Sequence, residues 1–255
     1  VALVLEQVNT VEIRARRFKV VLDSVNGAGG PATAMLLHQL GVDLVHLHAE
    51  PTGRFSHPPE PARANLGELC GAVKRHDADV GFAQDPDADR LAVVDETGLY
   101  IGEEYSLALC ALHVLNRGEG SKVVVANLST SRMIDDIAAE GGERVVRTPV
   151  GEAHVAAAMK AHGAAIGGEG NGGVILAAVG HVRDSLVGIA LILQMLADRR
   201  RSISNIVATI PRYAIIKDKI ASSTAFCGSE ASARLAASMR RHFPDQKLRL
   251  GGDAL

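Results

Sequence analysis

Apolar runs of strand length alternate with amphipathic segments of helix length along almost the whole chain. Parallel strands cannot be joined by a tight turn and need a crossover, so this alternation predicts βαβ units and parallel sheets in an α/β fold. The first unit runs from Phe18-Lys19-Val20-Val21-Leu22-Asp23 through Asn26-Gly27-Ala28-Gly29-Gly30 into a helix opened by Pro31, where a missing N–H would be unbonded anyway. Gly41 ends that helix, and Val42 to Leu47 form the next strand. Residues 50–62 hold four prolines, Pro51, Pro58, Pro59 and Pro61, and read as a loop. A helix over 64–76, a strand over 79–83, an acidic loop, a strand over 91–94, a turn at Gly98 and a helix over 104–117 complete the first half. Residues 118–121 read as a short linker. The second half starts a strand at Lys122, then has helices near 131–140 and up to His162, a strand from Ala165-Ile166 and an apolar helix over 185–197. Past Arg199-Arg200-Arg201 the period changes. Residues 211–217 read as strand and 229–242 as helix, and the chain stops inside an element, as a piece of a longer protein would.

A length of 255 residues suits about two domains. The net charge of −2 carries no clustered excess of Lys and Arg, and 3% aromatics with no Trp leave few platforms for bases, so nucleic acid is not an expected partner. No apolar run reaches the ~18–20 residues that span a bilayer, and Val1 to Glu6 show no signal-peptide pattern. Cys70, Cys110 and Cys227 are scattered among apolar neighbours and read as small buried hydrophobes in a reducing cytoplasm.

The sharpest chemical feature is Asp85-Pro86-Asp87-Ala88-Asp89-Arg90, directly after a strand. Three carboxylates at alternate positions repel one another unless a cation neutralises them, and hard oxygen ligands suit Mg²⁺ or Ca²⁺ better than Zn²⁺. An EF-hand is ruled out because Arg90 stands where that loop needs Gly and Leu91 to Val94 read as strand. A Mg²⁺-dependent phosphatase with an aspartate nucleophile remains open, as does a Ca²⁺- or sugar-binding module. Gly167-Gly168-Glu169-Gly170-Asn171-Gly172-Gly173 sets a carboxylate and an amide among five glycines, a pairing suited to sugar hydroxyls. Asn26-Gly27-Ala28-Gly29-Gly30 lacks both G-x-G-x-x-G spacing and a P-loop Lys, and reads as structural. His46 and His48 alternate onto one strand face with no third ligand at a persuasive spacing, and read as a polar face.

In order along the chain, these pieces resemble the α-D-phosphohexomutase superfamily of phosphoglucomutases, phosphomannomutases and phosphoglucosamine mutases. The carrying segments are Leu22-Asp23 with Asn26-Gly27-Ala28-Gly29, the Asp85–Arg90 loop, Gly102-Glu103-Glu104, Thr148-Pro149-Val150-Gly151 and Gly168 to Gly173. The resemblance implies two consecutive α/β/α domains with mixed sheets, residues 1–118 and 119–207, and the start of a further α+β domain over 208–255. It implies that Asp85, Asp87 and Asp89 hold Mg²⁺, that Arg90 faces the phosphoryl group in flight, and that Glu169, Asn171 and Gly151 contact the sugar. The implied chemistry is the interconversion of hexose 1- and 6-phosphates of glucose, mannose or glucosamine through an enzyme phosphoserine and a hexose 1,6-bisphosphate, in the cytoplasm. Two departures stand out. Asn171 replaces the family's usual Ser, which leaves phosphoglucosamine mutase as an alternative, and no segment resembles the T-A-S-H-N-P phosphoserine loop. On that reading this piece alone is inactive.

Overall fold

The computed structural model describes residues 1–118, 123–214 and 230–242. Its helices and strands follow, in order, α1 (Ala2–Leu5), α2 (Thr10–Arg16), β1 (Lys19–Asp23), α3 (Gly30–Gln39), β2 (Asp43–Leu47), α4 (Gly67–His76), β3 (Val80–Gln84), β4 (Leu91–Val94) and α5 (Glu104–Asn116). There follow β5 (Val123–Asn127), α6 (Met133–Glu140), β6 (Arg144–Thr148), α7 (Glu152–His162), β7 (Ile166–Glu169), β8 (Gly173–Leu176), α8 (Ser185–Arg199) and α9 (Ile203–Val207). These elements belong to one compact unit, Val1–Tyr213; α10 (Glu230–His242) belongs to a second, beginning at Ala214. Residues 211–214 have no regular structure, and the rest of the expected 211–217 strand, most of the 118–121 linker and Cys227 lie outside the described residues.

The first unit holds two mixed sheets, ordered β2-β1-β3-β4 and β6-β5-β7-β8. In each, three strands are parallel and the fourth is antiparallel. The connections dictate this mixture. Crossover helices return the chain for a parallel pairing, whereas the short turns 85–90 and 170–172 can join only antiparallel neighbours. Central β3 and β5 are buried throughout, as their continuous apolar runs require, while β2 on an edge is half-exposed.

Helices cover the sheets by their apolar stripes. Leu69, Ala72 and Val73 of α4 form an i, i+3, i+4 stripe against β1 and β3, and the helix ends at Asp77 in a left-handed conformation after Lys74, Arg75 and His76. Helix α8 is capped by the Asp184 carboxylate, which accepts the Leu186 N–H at 2.8 Å, and is buried from Val187 to Ala197. Helix α5, which the sequence places with the first half, packs on β4 of one sheet and on β7 and β8 of the other. With α8 it joins the halves into one apolar core running from Leu22 and Phe82 to Val124 and Ile166. Removing a fully buried ring such as Phe82 would cost about 3–5 kcal/mol. The sequence reading missed the short helices α1 and α2, which pack against α8. Cys110 is buried in this core and Cys70 is half-buried, and burial raises both thiol pKa values. Among the described residues no helix is long and apolar enough to cross a membrane.

Candidate active site

The acidic segment forms the turn between β3 and β4. Asp85 is buried, Asp87 exposed and Asp89 intermediate, and one oxygen from each lies within 4.8 Å of the others. Asp85 accepts the Arg90 N–H at 3.0 Å and the Arg90 Nε–H at 2.6 Å. Arg90 Nη1 donates to Glu60 at 2.8 Å, from the proline-rich loop. Burial opposes the charge on Arg90, but its hydrogen bonds to Glu60 and Asp85 prevail and hold the guanidinium protonated. Asp89 is pushed up to about 6, first by burial and then by Asp85 beside it, with Asp87 adding and Arg183 opposing. A carboxyl raised by its carboxylate neighbours marks a place where added positive charge is favoured.

The turn rests on the segment Asn26 to Gly30. Ala28 N–H donates to the Pro86 carbonyl at 2.7 Å, and a Cβ on Gly27 would fall 2.6 Å from that same oxygen. Glycine here lets the backbone of the acidic turn approach, which is the structural role its spacing suggested.

The glycine-rich segment forms the equivalent turn between β7 and β8, and the two turns touch. Leu91 N–H donates to the Gly172 carbonyl at 3.0 Å, and Arg90 and Gly173 form an isolated antiparallel bridge. Gly172 has φ +96°, and a Cβ there would lie 2.5 Å from the Leu91 carbonyl oxygen. From below, Ser185 Oγ donates to the Ala88 carbonyl at 2.6 Å.

Glu169 is 3% exposed. Its Oε1 accepts from Asn127 Nδ2 at 2.6 Å and from the Gly151 N–H at 2.9 Å, and its Oε2 from Arg183 Nη1 at 2.8 Å. Asn171 is half-buried and accepts the Gly173 N–H at 3.3 Å. The expected site residues therefore gather in one place, with Gly151 acting through its backbone on Glu169.

Sequence reasoning missed the residue that joins the turns. Arg183, 19% exposed, donates through Nη2 to Asp89 and through Nη1 to Glu169, and its Nε stands 3.2 Å from Glu152 Oε2 without hydrogen-bond alignment. The available signal was slight: one Arg between Val182 and Asp184, just ahead of an apolar helix. The histidine reading is also corrected. His48 lies beyond the end of β2 at φ +48° and turns to Asp23, while His46 pairs with Ser24 Oγ at 2.9 Å. A third candidate ligand does stand with His48 and Asp23, because His57 approaches the same Asp23 from the proline-rich loop.

Residues 1–98 match the family model for phosphoglucomutase/phosphomannomutase α/β/α domain II, and residues 103–213 match that for domain III. The chain is 39% identical over 214 residues to a phosphoglucomutase/phosphomannomutase of Thermococcus kodakarensis, covering 84% of this chain and 47% of that protein. It is 36% identical over 211 residues to a "Probable phosphoglucosamine mutase" of Methanopyrus kandleri, covering 82% and 46%. A crystal structure of a phosphoglucomutase/phosphomannomutase family protein from Burkholderia thailandensis superposes with a TM-score of 0.71 at 30% identity, over 80% of this chain and 46% of that one. The chain spans about half the length of the curated relatives it matches.

Proposed function

The chain belongs to the phosphoglucomutase/phosphomannomutase family, and from that premise we propose that it supplies the cation turn and the hexose turn of an enzyme interconverting hexose 1- and 6-phosphates. The observation that carries this reading is Arg183, which ties Asp89 of one turn to Glu169 of the other and so makes them a single site.

Asp85, Asp87 and Asp89 fit a hard divalent cation, since they offer oxygen donors alone, close together, and hold excess negative charge. Bound there, Mg²⁺ would neutralise charge on the phosphoryl group being transferred. Asp85 keeps lone pairs for a cation while accepting from Arg90, because a carboxylate has about four acceptor positions. Arg90, held by Asp85 and Glu60, presents a fixed positive charge to the phosphoryl oxygens. Glu169, held by Asn127, Gly151 and Arg183, accepts from a sugar hydroxyl on its remaining lone pair, and the Asn171 amide can donate or accept beside it.

The reaction is two phosphoryl transfers. An enzyme phosphoserine phosphorylates the bound hexose monophosphate, the 1,6-bisphosphate reorients, and its other phosphoryl group returns to the serine. No serine among the 255 residues stands in a Thr-Ala-Ser-His-Asn-Pro setting, so turnover needs a phosphoserine donor in addition to these residues. Amino-sugar phosphates join glucose and mannose phosphates as candidate substrates, because Asn171 departs from the usual Ser and a relative is named a phosphoglucosamine mutase. We place the enzyme in the cytoplasm as a phosphoprotein.

The test is Glu169→Gln in a polypeptide that also carries the phosphoserine loop. One acceptor oxygen becomes a donor, and loss of a charge-assisted bond worth roughly 1.5–3 kcal/mol lowers kcat/KM per folded molecule by about ten- to a hundredfold. An unchanged kcat/KM per folded molecule would remove the hexose from this turn.

A further inference from the structure

A second group of ligand atoms lies on the same edge of the first sheet, one strand over from the acidic turn. Asp23, the last residue of β1, is 1% exposed. Its Oδ1 lies 3.0 Å from His48 Nδ1 and its Oδ2 3.0 Å from His57 Nε2, while the Val25 N–H also donates to Oδ1. The ligand atoms of Asp23, His48 and His57 all fall within 4.8 Å of one another. The rings meet edge to face with centroids 5.5 Å apart.

The far nitrogen of each ring also faces an acceptor. His57 Nδ1 is 2.9 Å from the Pro58 carbonyl, which can only accept. His48 Nε2 is 3.4 Å from Glu68 Oε2. A neutral imidazole has one N–H and one lone pair, so each ring can donate to only one of its two acceptors. An ion held beside Asp23 would take the near nitrogen of each ring as a ligand and leave the N–H for the far acceptor. A metal-bound histidine has this same arrangement: one nitrogen on the ion, the other donating to a carboxylate or carbonyl that fixes ring and tautomer.

We propose that Asp23, His48 and His57 bind a divalent transition-metal ion of the zinc type, oriented by Glu68 and the Pro58 carbonyl. Two imidazoles with one carboxylate favour such an ion over Mg²⁺. The near nitrogens lie 3.0 Å from Asp23 oxygens, and small ring rotations would open this to the roughly 3.3–3.6 Å edge of a tetrahedron with ligand bonds of about 2.0–2.2 Å. The rings' partial exposure, 18% and 17%, leaves a position for water. The ion clamps the proline-rich loop to the end of β1, and three residues past His57 that loop carries Glu60, the partner of Arg90. This site stands on its own geometry and does not depend on the mutase reading.

The test is calorimetric titration of the chelator-stripped chain with Zn²⁺ in excess Mg²⁺, which saturates the acidic turn. One equivalent of zinc binds the unaltered chain. Affinity falls by a hundredfold or more in His57→Ala and by about tenfold in Glu68→Gln, and is kept in Asp87→Asn. The absence of stoichiometric zinc binding by the unaltered chain overturns the proposal without any variant having to fold. So does zinc binding that His57→Ala leaves intact or that Asp87→Asn removes.

Discussion

The two sheets are built on one plan and diverge at one place. Each has a central strand between two parallel neighbours and an antiparallel fourth strand, in the orders β2-β1-β3-β4 and β6-β5-β7-β8. At the turn into the fourth strand the first sheet has six residues, 85–90, with three carboxylates, and the second has three residues, 170–172, two of them glycine. Charge density distinguishes the first turn and close packing at two buried glycines the second. The scaffold puts a turn at the same end of each sheet, and the residues in that turn set its charge and packing. The turns also depend on each other: the glycine turn packs on the β4 backbone, and Arg183 spans both.

The largest expected effect tests that dependence. Gly172→Ala would place a Cβ 2.5 Å from the Leu91 carbonyl oxygen in a left-handed backbone, so urea unfolding should show a loss of about 3–5 kcal/mol. Gly53→Ala, with positive φ but open space around its Cβ, should cost only about 1 kcal/mol. Equal losses at the two positions would mean the turns do not brace each other.

A somewhat smaller effect asks whether the halves unfold together. His113 of the shared helix α5 is lowered to about 4, first by burial, with Arg117 and Arg199 adding and Asp198 opposing. Below pH 6.5 the unfolded chain takes up a proton that the folded chain refuses until about pH 4, so stability falls as the pH drops through that window. The fall reaches up to about 3 kcal/mol at ~1.4 kcal/mol per pH unit and levels off below pH 4. In His113→Leu this part of the slope should vanish. Amide exchange should show β3 and β7 losing protection together as the pH drops; loss in one sheet alone would make the halves independent.

Much of this was legible in the residues. Continuous apolar runs marked the central strands, and Asp85 to Arg90 and Gly167 to Gly173 stood out as candidate site segments because charge and glycine are dense there. Contacts between distant segments were hidden. Arg183 is one charge without periodicity, and Asp23, His48 and His57 come together only when β1 and β2 pair and the proline-rich loop folds back. Helices α1 and α2 were missed because they are short and owe their stability to packing on α8. The repeated sheet order was not legible in the turns, since the two share no residue pattern.

The most direct test of the division of labour is Mg²⁺ binding, followed as a rise in thermal stability of the chain. At ~100 times its dissociation constant, Mg²⁺ should stabilise the unaltered chain by about 2.7 kcal/mol. Asp87→Asn, altering an exposed carboxylate of the acidic turn, should abolish most of that gain, and Asn171→Ala in the glycine turn should keep it. Equal Mg²⁺-induced shifts in the unaltered chain and Asp87→Asn, or a gain lost in Asn171→Ala instead, would contradict the assignment of the cation to the acidic turn.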